Sequence, residues 1–240
     1  MEYRAAIESA ALSLDLYFEN ILPPWKPGDG YVYPTKDRTV FTRISVPCPW
    51  ADVRGTVTIG GKSQAVRGQG YGDLTFLVSP ANRSKSKVYL SRVFSPPGTE
   101  RTERFFLSQI DYVSHPAYGS IRQPILLLAR GDRWLFTSRD YSLNLDDFAE
   151  TSEGSYPRTY MLQAENDGYL LRGEYRTGKL YDITDMFAEI PPVFRGLVGL
   201  FIGRHINFHS LGQFRGTLTY PDGVVEELSL IGLSEYLIVR

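Results

Sequence analysis

The chain has 240 residues, enough for one large β-domain or two small ones. Its 26 basic and 27 acidic side chains leave a net charge of −1, which excludes the basic footprint of a nucleic-acid groove and offers no cationic helix to an anionic membrane surface. Cys48 is the single cysteine, so no intrachain disulfide forms, and no run reaches the ~18 apolar residues of a membrane-spanning helix.

In the first twenty residues, Leu12, Leu14, Leu16 and Phe18 alternate with Ser13, Asp15, Tyr17 and Glu19. That is the period of a half-buried strand, and it extends back through Ile7 into an Ala-rich start. No basic segment leads into an apolar block, so no signal peptide is expected and a soluble, cytoplasmic chain is favoured. A Pro- and Gly-rich loop over 23–34 precedes strands expected at 38–46, 52–59, 63–69 and 71–78. Cys48, between Pro47 and Pro49, reads as a loop or strand-end thiol with nothing basic beside it to activate it. The polar segment 79–87 is the best linker, dividing the chain into units 1–82 and 83–240.

Beyond it, strands fit 87–95, 103–113, 123–130, 132–138, 140–146, 157–165, 168–176 and 178–182. Gly131-Asp132 and Asn166-Asp167-Gly168 supply the positive φ that hairpin turns need. A helical segment is expected near 183–203. Asp182 or Thr184 can cap a short helix through Ala188, Pro191-Pro192 stops it, and 193–202 reads as a second, apolar helix that plugs a barrel end or packs between the units. Strands at 212–220, 223–230 and 232–239 finish the chain. Short strands at this spacing, bounded by such turns, make an all-β barrel or sandwich.

One phrase occurs twice. Arg54-Gly55-Thr56-Val57-Thr58 and Arg215-Gly216-Thr217-Leu218-Thr219 each open a hairpin. Each returns to a glycine and then an acid, Gly70 and Asp73 in the first copy, Gly232 and Glu235 in the second. Two related β-units follow. The copies stand 161 residues apart but only 53 residues precede Arg54, so the first unit is expected to be abbreviated. A partial sheet exposes an edge and an apolar face, to be covered by the second barrel, the apolar helix or a second copy of the chain.

The stretch 53–76, with Gly70-Tyr71-Gly72-Asp73-Leu74-Thr75-Phe76, resembles the lipocalin-like family of AttH-type proteins and carotenoid 1,2-hydratases, whose motif reads Gly-Tyr-His-Asp-His-Asn-Trp. Gly, Tyr and Asp match, Phe76 replaces the Trp, and both histidines are absent. The resemblance implies tandem lipocalin-like β-barrels, apolar ligands (polyene, isoprenoid or lipid), and hydration, isomerisation or cyclisation without a cofactor.

On the residues themselves, Asp73 is the candidate catalytic acid, with Tyr71 beside it; an acid in an apolar pocket stays protonated, as alkene protonation requires. Tyr71 and Phe76 could stabilise a developing cation. The competing reading makes Asp73 an architectural device at the junction of the units, because Glu235 recurs at its place. With no histidine in the motif to activate water, isomerisation, cyclisation or simple binding is favoured over hydration. Arg92 and Gln109, on otherwise apolar strand faces, read as a buried ionic network or as anchors for a ligand head. His205 and His209 lack a third ligand, so no metal and no other cofactor is expected. Three functions remain open: an enzyme acting on an apolar small molecule held in a barrel cavity, a carrier of the same ligand, or an interaction module whose cavity is filled.

Overall fold

The computed structural model describes residues 1–9, 11–33, 35, 38–77, 85–185 and 204–239. Among these the chain is strand, turn and two single-turn 3-10 helices, with no α-helix. The first sheet holds β1 (Glu2–Glu8), β2 (Leu12–Asn20), β3 (Tyr31–Val32), β4 (Thr42–Ile59) and β5 (Lys62–Leu77). Its order is β1-β2-β4-β3, with β5 also on β4. The second sheet holds β6 (Lys87–Phe94), β7 (Phe105–Val113), β8 (Arg122–Arg130), β9 (Arg133–Ser138), β10 (Tyr141–Thr151), β11 (Gly154–Asn166), β12 (Tyr169–Asp185), β13 (His205–Thr219) and β14 (Val225–Val239).

The second sheet runs β10-β11-β12-β13-β14-β6-β7-β8-β9, antiparallel throughout. Its two end strands, β9 and β10, are consecutive in the chain and separated only by Arg139 and Asp140. The sheet therefore curls until its ends meet, the way a lipocalin-like barrel removes its edges. Asn166 Nδ2 donates to Thr137 O across that seam at 3.1 Å. The inward row of each strand fills the interior: Val93, Phe105, Leu107, Leu126, Leu128, Phe136, Leu162, Tyr175, Phe214 and Leu230 form one buried cluster. Burying each such side chain contributes roughly 1.5–3 kcal/mol.

Several expected strands are fused. The segments expected at 38–46 and 52–59 are one strand, as are 63–69 with 71–78, 168–176 with 178–182, and 223–230 with 232–239. Bulges bend these strands where breaks were expected. The register of β4 on β5 shifts between Ser45 and Cys48 and again between Cys48 and Ala51, which places Pro47 and Pro49 where no ladder N–H is required. Cys48 is thus buried within β4, and burial pushes its thiol up, away from reactivity.

At the start of the helical segment expected near 183–203 the chain is still strand: Asp182 and Thr184 lie in β12, opposite His209 and Asn207. Residues 186–203 and the linker residues 78–84 lie outside the described residues.

The repeated phrase is structural. Leu16 of β2 pairs with Gly55 of β4, and Gly173 of β12 pairs with Gly216 of β13. A Cβ on Gly55 would sit 2.0 Å from Asp15 O, and one on Gly216 2.2 Å from Arg172 O. Each glycine lets the neighbouring strand pass against it, so β1-β2-β4-β5 repeats β11-β12-β13-β14.

The first sheet packs on the outside of the barrel. Val32, Ile44 and Val46 meet Ile110, Ile125 and Leu127, and Ile21, Leu22 and Trp50 meet Phe106 and Ala129. Gln69 ties the two layers: its Oε1 accepts from Trp50 Nε1 and its Nε2 donates to Ser95 O, both at 2.9 Å.

Candidate functional site between the two sheets

Cross-strand partners share a face. On β6, Arg92 pairs with Ser108 of β7 and Leu233 of β14, whereas Ser91 pairs with Gln109 and Ser234. Arg92 therefore points out of the barrel toward the first sheet, with Leu90 and Phe94. Gln109 points inward, is 1% exposed, and accepts from Ser91 Oγ at 3.3 Å. The two sequence-predicted anchors lie on opposite faces.

Arg92 is a hub. Its Nη2 donates to Asp73 Oδ2 at 2.8 Å and its Nη1 to Glu235 Oε1 at 3.3 Å. Its guanidinium lies 4.2 Å over the ring of Tyr71. The two acids at matching places in the repeat, one from each sheet, thus converge on one arginine. Burial opposes charging Arg92, but Tyr71, Asp73 and Glu235 outweigh it and raise its pKa. Burial also pushes the Tyr71 phenol up, so it stays a neutral donor. Asn207 Nδ2 donates to the second oxygen of Glu235 at 3.3 Å. Arg92 Nε, Tyr71 Oη and Asn207 Oδ1 are buried with no hydrogen-bond partner among the described residues.

Asp73, Tyr71 and Arg92 are together, and Phe76 is apart. Phe76 has the opposite parity to Tyr71 and Asp73 on β5, faces away, and is 61% exposed, so it cannot share a cation with Tyr71. The geometry also changes what Asp73 can do. Arg92 engages its Oδ2, an arrangement that suits a carboxylate, whereas alkene protonation needs the acid form.

Beside this cluster a groove of about 890 Å³ runs between the sheets. Phe94, Leu211 and Ile231 give it an apolar wall, and Arg67, Gln69 and Arg104 face them. Arg67 and Gln69 continue along β5 in the same row to Tyr71 and Asp73, and Ile231 continues along β14 through Leu233 to Glu235. Leu211, Ile231 and Leu233 are 46%, 42% and 40% exposed, a strip of aliphatic surface that ends at the Arg92 hub. This hollow lies outside the barrel, whereas Tyr160 and Tyr175, stacked with ring centroids 4.7 Å apart, belong to the buried cluster inside it.

A second group was missed in the sequence. His209 of β13 is the cross-strand partner of both Glu235 and Asp182, and shares the face of Leu211. Thr184 Oγ1 donates to Asp182 Oδ2 at 2.7 Å and stands 3.3 Å from His209 Nε2. With its proton committed to Asp182, the hydroxyl can only accept from His209, which assigns a proton to Nε2, so that in the neutral ring Nδ1 is the acceptor. Register brings His209, 136 residues beyond Asp73 in the chain, beside Glu235. No group of three metal-ligating side chains occurs among the described residues, and no helix among them is long and apolar enough to cross a membrane.

No protein-family model and no curated protein matches the sequence. Solved structures match over the whole chain. CghA with Sch210972 superposes with a TM-score of 0.71 at 12% identity, and a second CghA structure with 0.68 at 12%. An AttH-type protein from Nitrosomonas europaea superposes with 0.65 at 14% identity. The chain has the lipocalin-like fold of the AttH-type proteins. It spans 64–65% of the length of these three chains. At such identities the AttH-type likeness is one of fold, and the groove, the Arg92 hub and His209 stand on this chain's own geometry.

Proposed function

We propose that this chain binds an apolar small molecule (a polyene, isoprenoid or lipid) in the groove between its two sheets, with the polar end of the ligand at Arg92 and Tyr71. The observation that carries this reading is the aliphatic strip of Leu211, Ile231 and Leu233 leading to a buried guanidinium and an unpartnered phenol. A hollow of about 890 Å³ matches the usual size of small-molecule sites, which are mostly apolar with a few placed polar groups. The structural neighbour solved with Sch210972 supports a binding role for the fold. Units 1–82 and 83–240 are, in this reading, two copies of one ancestral β-unit, the first abbreviated, and the groove is their junction.

The chemistry proposed for the site is a cofactor-free isomerisation or cyclisation. His209 removes a proton from one carbon of the ligand through Nδ1 and returns it at another, the Tyr71 phenol donates a hydrogen bond to the ligand's oxygen, and Arg92 with its two carboxylates fixes the polar end. Asp73 is a positioning residue here. That same engagement of Asp73 favours a second reading, a carrier without turnover.

The test uses trans-parinaric acid, a fluorescent polyene. The wild-type chain is expected to bind it saturably. Leu211→Trp with Ile231→Trp fills the groove and should weaken binding at least tenfold with the far-UV spectrum unchanged. Undiminished binding in that double variant would place the ligand elsewhere. Once a substrate is known, His209→Gln separates the two roles: an enzyme loses turnover and keeps affinity, and a carrier has no turnover to lose.

A further inference from the structure

A second hollow, of about 510 Å³, opens at the end of the barrel beside the β8–β9 turn. It shares no lining residue with the groove. Its floor is aromatic. Phe136 stacks on Tyr169 with centroids 5.8 Å apart, and Tyr169 meets Tyr220 edge-on at 5.7 Å, the last aromatic layer of the barrel core. Trp134 and Leu135 flank it. Its rim is basic, with Arg101, Arg130 and Arg133.

These arginines differ. Arg130 is committed: its Nη1 donates to Glu226 Oε2 at 3.0 Å and to Tyr220 Oη at 2.9 Å, and Tyr220 Oη donates to Glu226 in turn. Arg101 and Arg133 have no ion pair among the described residues, and Asp132 is the one acid lining the hollow. The rim thus offers two forked donors with an excess of positive charge over rings fixed from behind. Guanidinium groups recognise carboxylate and phosphate oxygens in pairs, and aromatic floors take flat rings. The turn is built to hold this shape. Gly131 has φ of +58°, and a Cβ there would come within 3.4 Å of Thr102 O, so it brings the Arg133 hairpin against the Arg101–Glu103 turn.

We propose that this hollow is a binding site for a small aromatic anion, its ring on Tyr169 and Tyr220 and its carboxylate or phosphate between Arg101 and Arg133. The site is independent of the groove and can be occupied together with it.

The experiment titrates the full chain with 1-naphthyl phosphate, following the Trp134 indole by NMR and affinity by calorimetry. Saturable binding that shifts the Trp134 indole and weakens as salt is raised is expected, because exposed charge contacts are screened. Inorganic phosphate and naphthalene-1-methanol, each carrying one half of the ligand, should each bind at least tenfold more weakly. The double variant Arg101→Gln, Arg133→Gln should lose at least tenfold in affinity while keeping the wild-type melting temperature, since both side chains are exposed. Tyr169→Leu, which keeps the apolar floor, should cost less than the double variant. An unchanged affinity in the double variant, equal binding of inorganic phosphate, or no saturable binding to the wild-type chain would each overturn the proposal.

Discussion

Replacing Arg92 by Met removes the charge of the hub and keeps most of its packing against the Tyr71 ring. Two acids from different sheets then lose their shared partner at once. The side chains of Arg92, Asp73 and Glu235 are 15%, 25% and 23% exposed, so water reaches the pairs in part. A buried charged hydrogen bond is worth roughly 1.5–3 kcal/mol, and a surface pair roughly 0–1. The 2.8 Å contact to Asp73 then contributes about 1.5 kcal/mol and the 3.3 Å contact to Glu235 about 0.5–1. A loss of about 2–2.5 kcal/mol is expected, and at this chain length about 5–10 °C in melting temperature. Urea unfolding gives the number directly. Adding Asp73→Asn to the Met variant should recover part of the loss, because it removes an acid left without its partner, whereas Asp73→Asn alone destabilises. If Arg92→Met costs under about 0.5 kcal/mol, or if Asp73→Asn is equally harmful in both backgrounds, the hub does not join the sheets.

The repeat glycines give a matched pair. Gly55→Ala and Gly216→Ala each drive a Cβ to within 2.2 Å of a neighbouring backbone oxygen, so each should cost at least about 3 kcal/mol in chemical denaturation. Gly61→Ala, at φ of +79° with open space around it, should cost only about 1 kcal/mol. The Lys85 ammonium lies 4.4 Å over the Tyr112 ring, and burial pushes its pKa from the ordinary 10.5 down to about 8. Between those values the folded chain holds fewer protons than the unfolded one, so stability relative to Lys85→Met should rise from pH 8 to 10.5. A flat difference across that window would show that Lys85 is solvated. For His209, nitrogen-edited NMR of the neutral ring should show the proton on Nε2 and a shift toward a tautomer mixture in Thr184→Val; a proton on Nδ1 in the wild type would remove the proposed base.

The fold class was legible because a period of two runs through almost every strand, and turns such as Asn166-Asp167-Gly168 carry their own geometry. Asp167 at φ of +51° and Gly168 at +79° are what that tripeptide predicts. Continuity was less legible. Pro47, Pro49 and Gly232 look like breaks in a string of letters, yet a bulge or a close strand contact absorbs them inside long bent strands. The start of the expected helical segment is a related case: Asp182 and Thr184 pair with β13, and that pairing outweighed a local capping preference at those two residues. Of the candidate cluster, the motif pointed to Asp73 and Tyr71 and a polar interruption of an apolar strand to Arg92, which the structure brings together. Phe76 and Gln109 lie on other faces, because a face is set by which layer covers each strand, and one strand alone does not state that.

The sequence by itself determined that this is an all-β chain with a repeated hairpin and an acid in each copy, since alternation, turn chemistry and recurrence are local properties. It also favoured an architectural part for those acids, from recurrence alone. Only the tertiary structure decided that Asp73 and Glu235 meet on the same arginine. That convergence depends on how a sheet ending in Leu77 lies across β14 and β6 of the barrel, and contacts between residues 162 positions apart are fixed by packing, which no short stretch of sequence encodes.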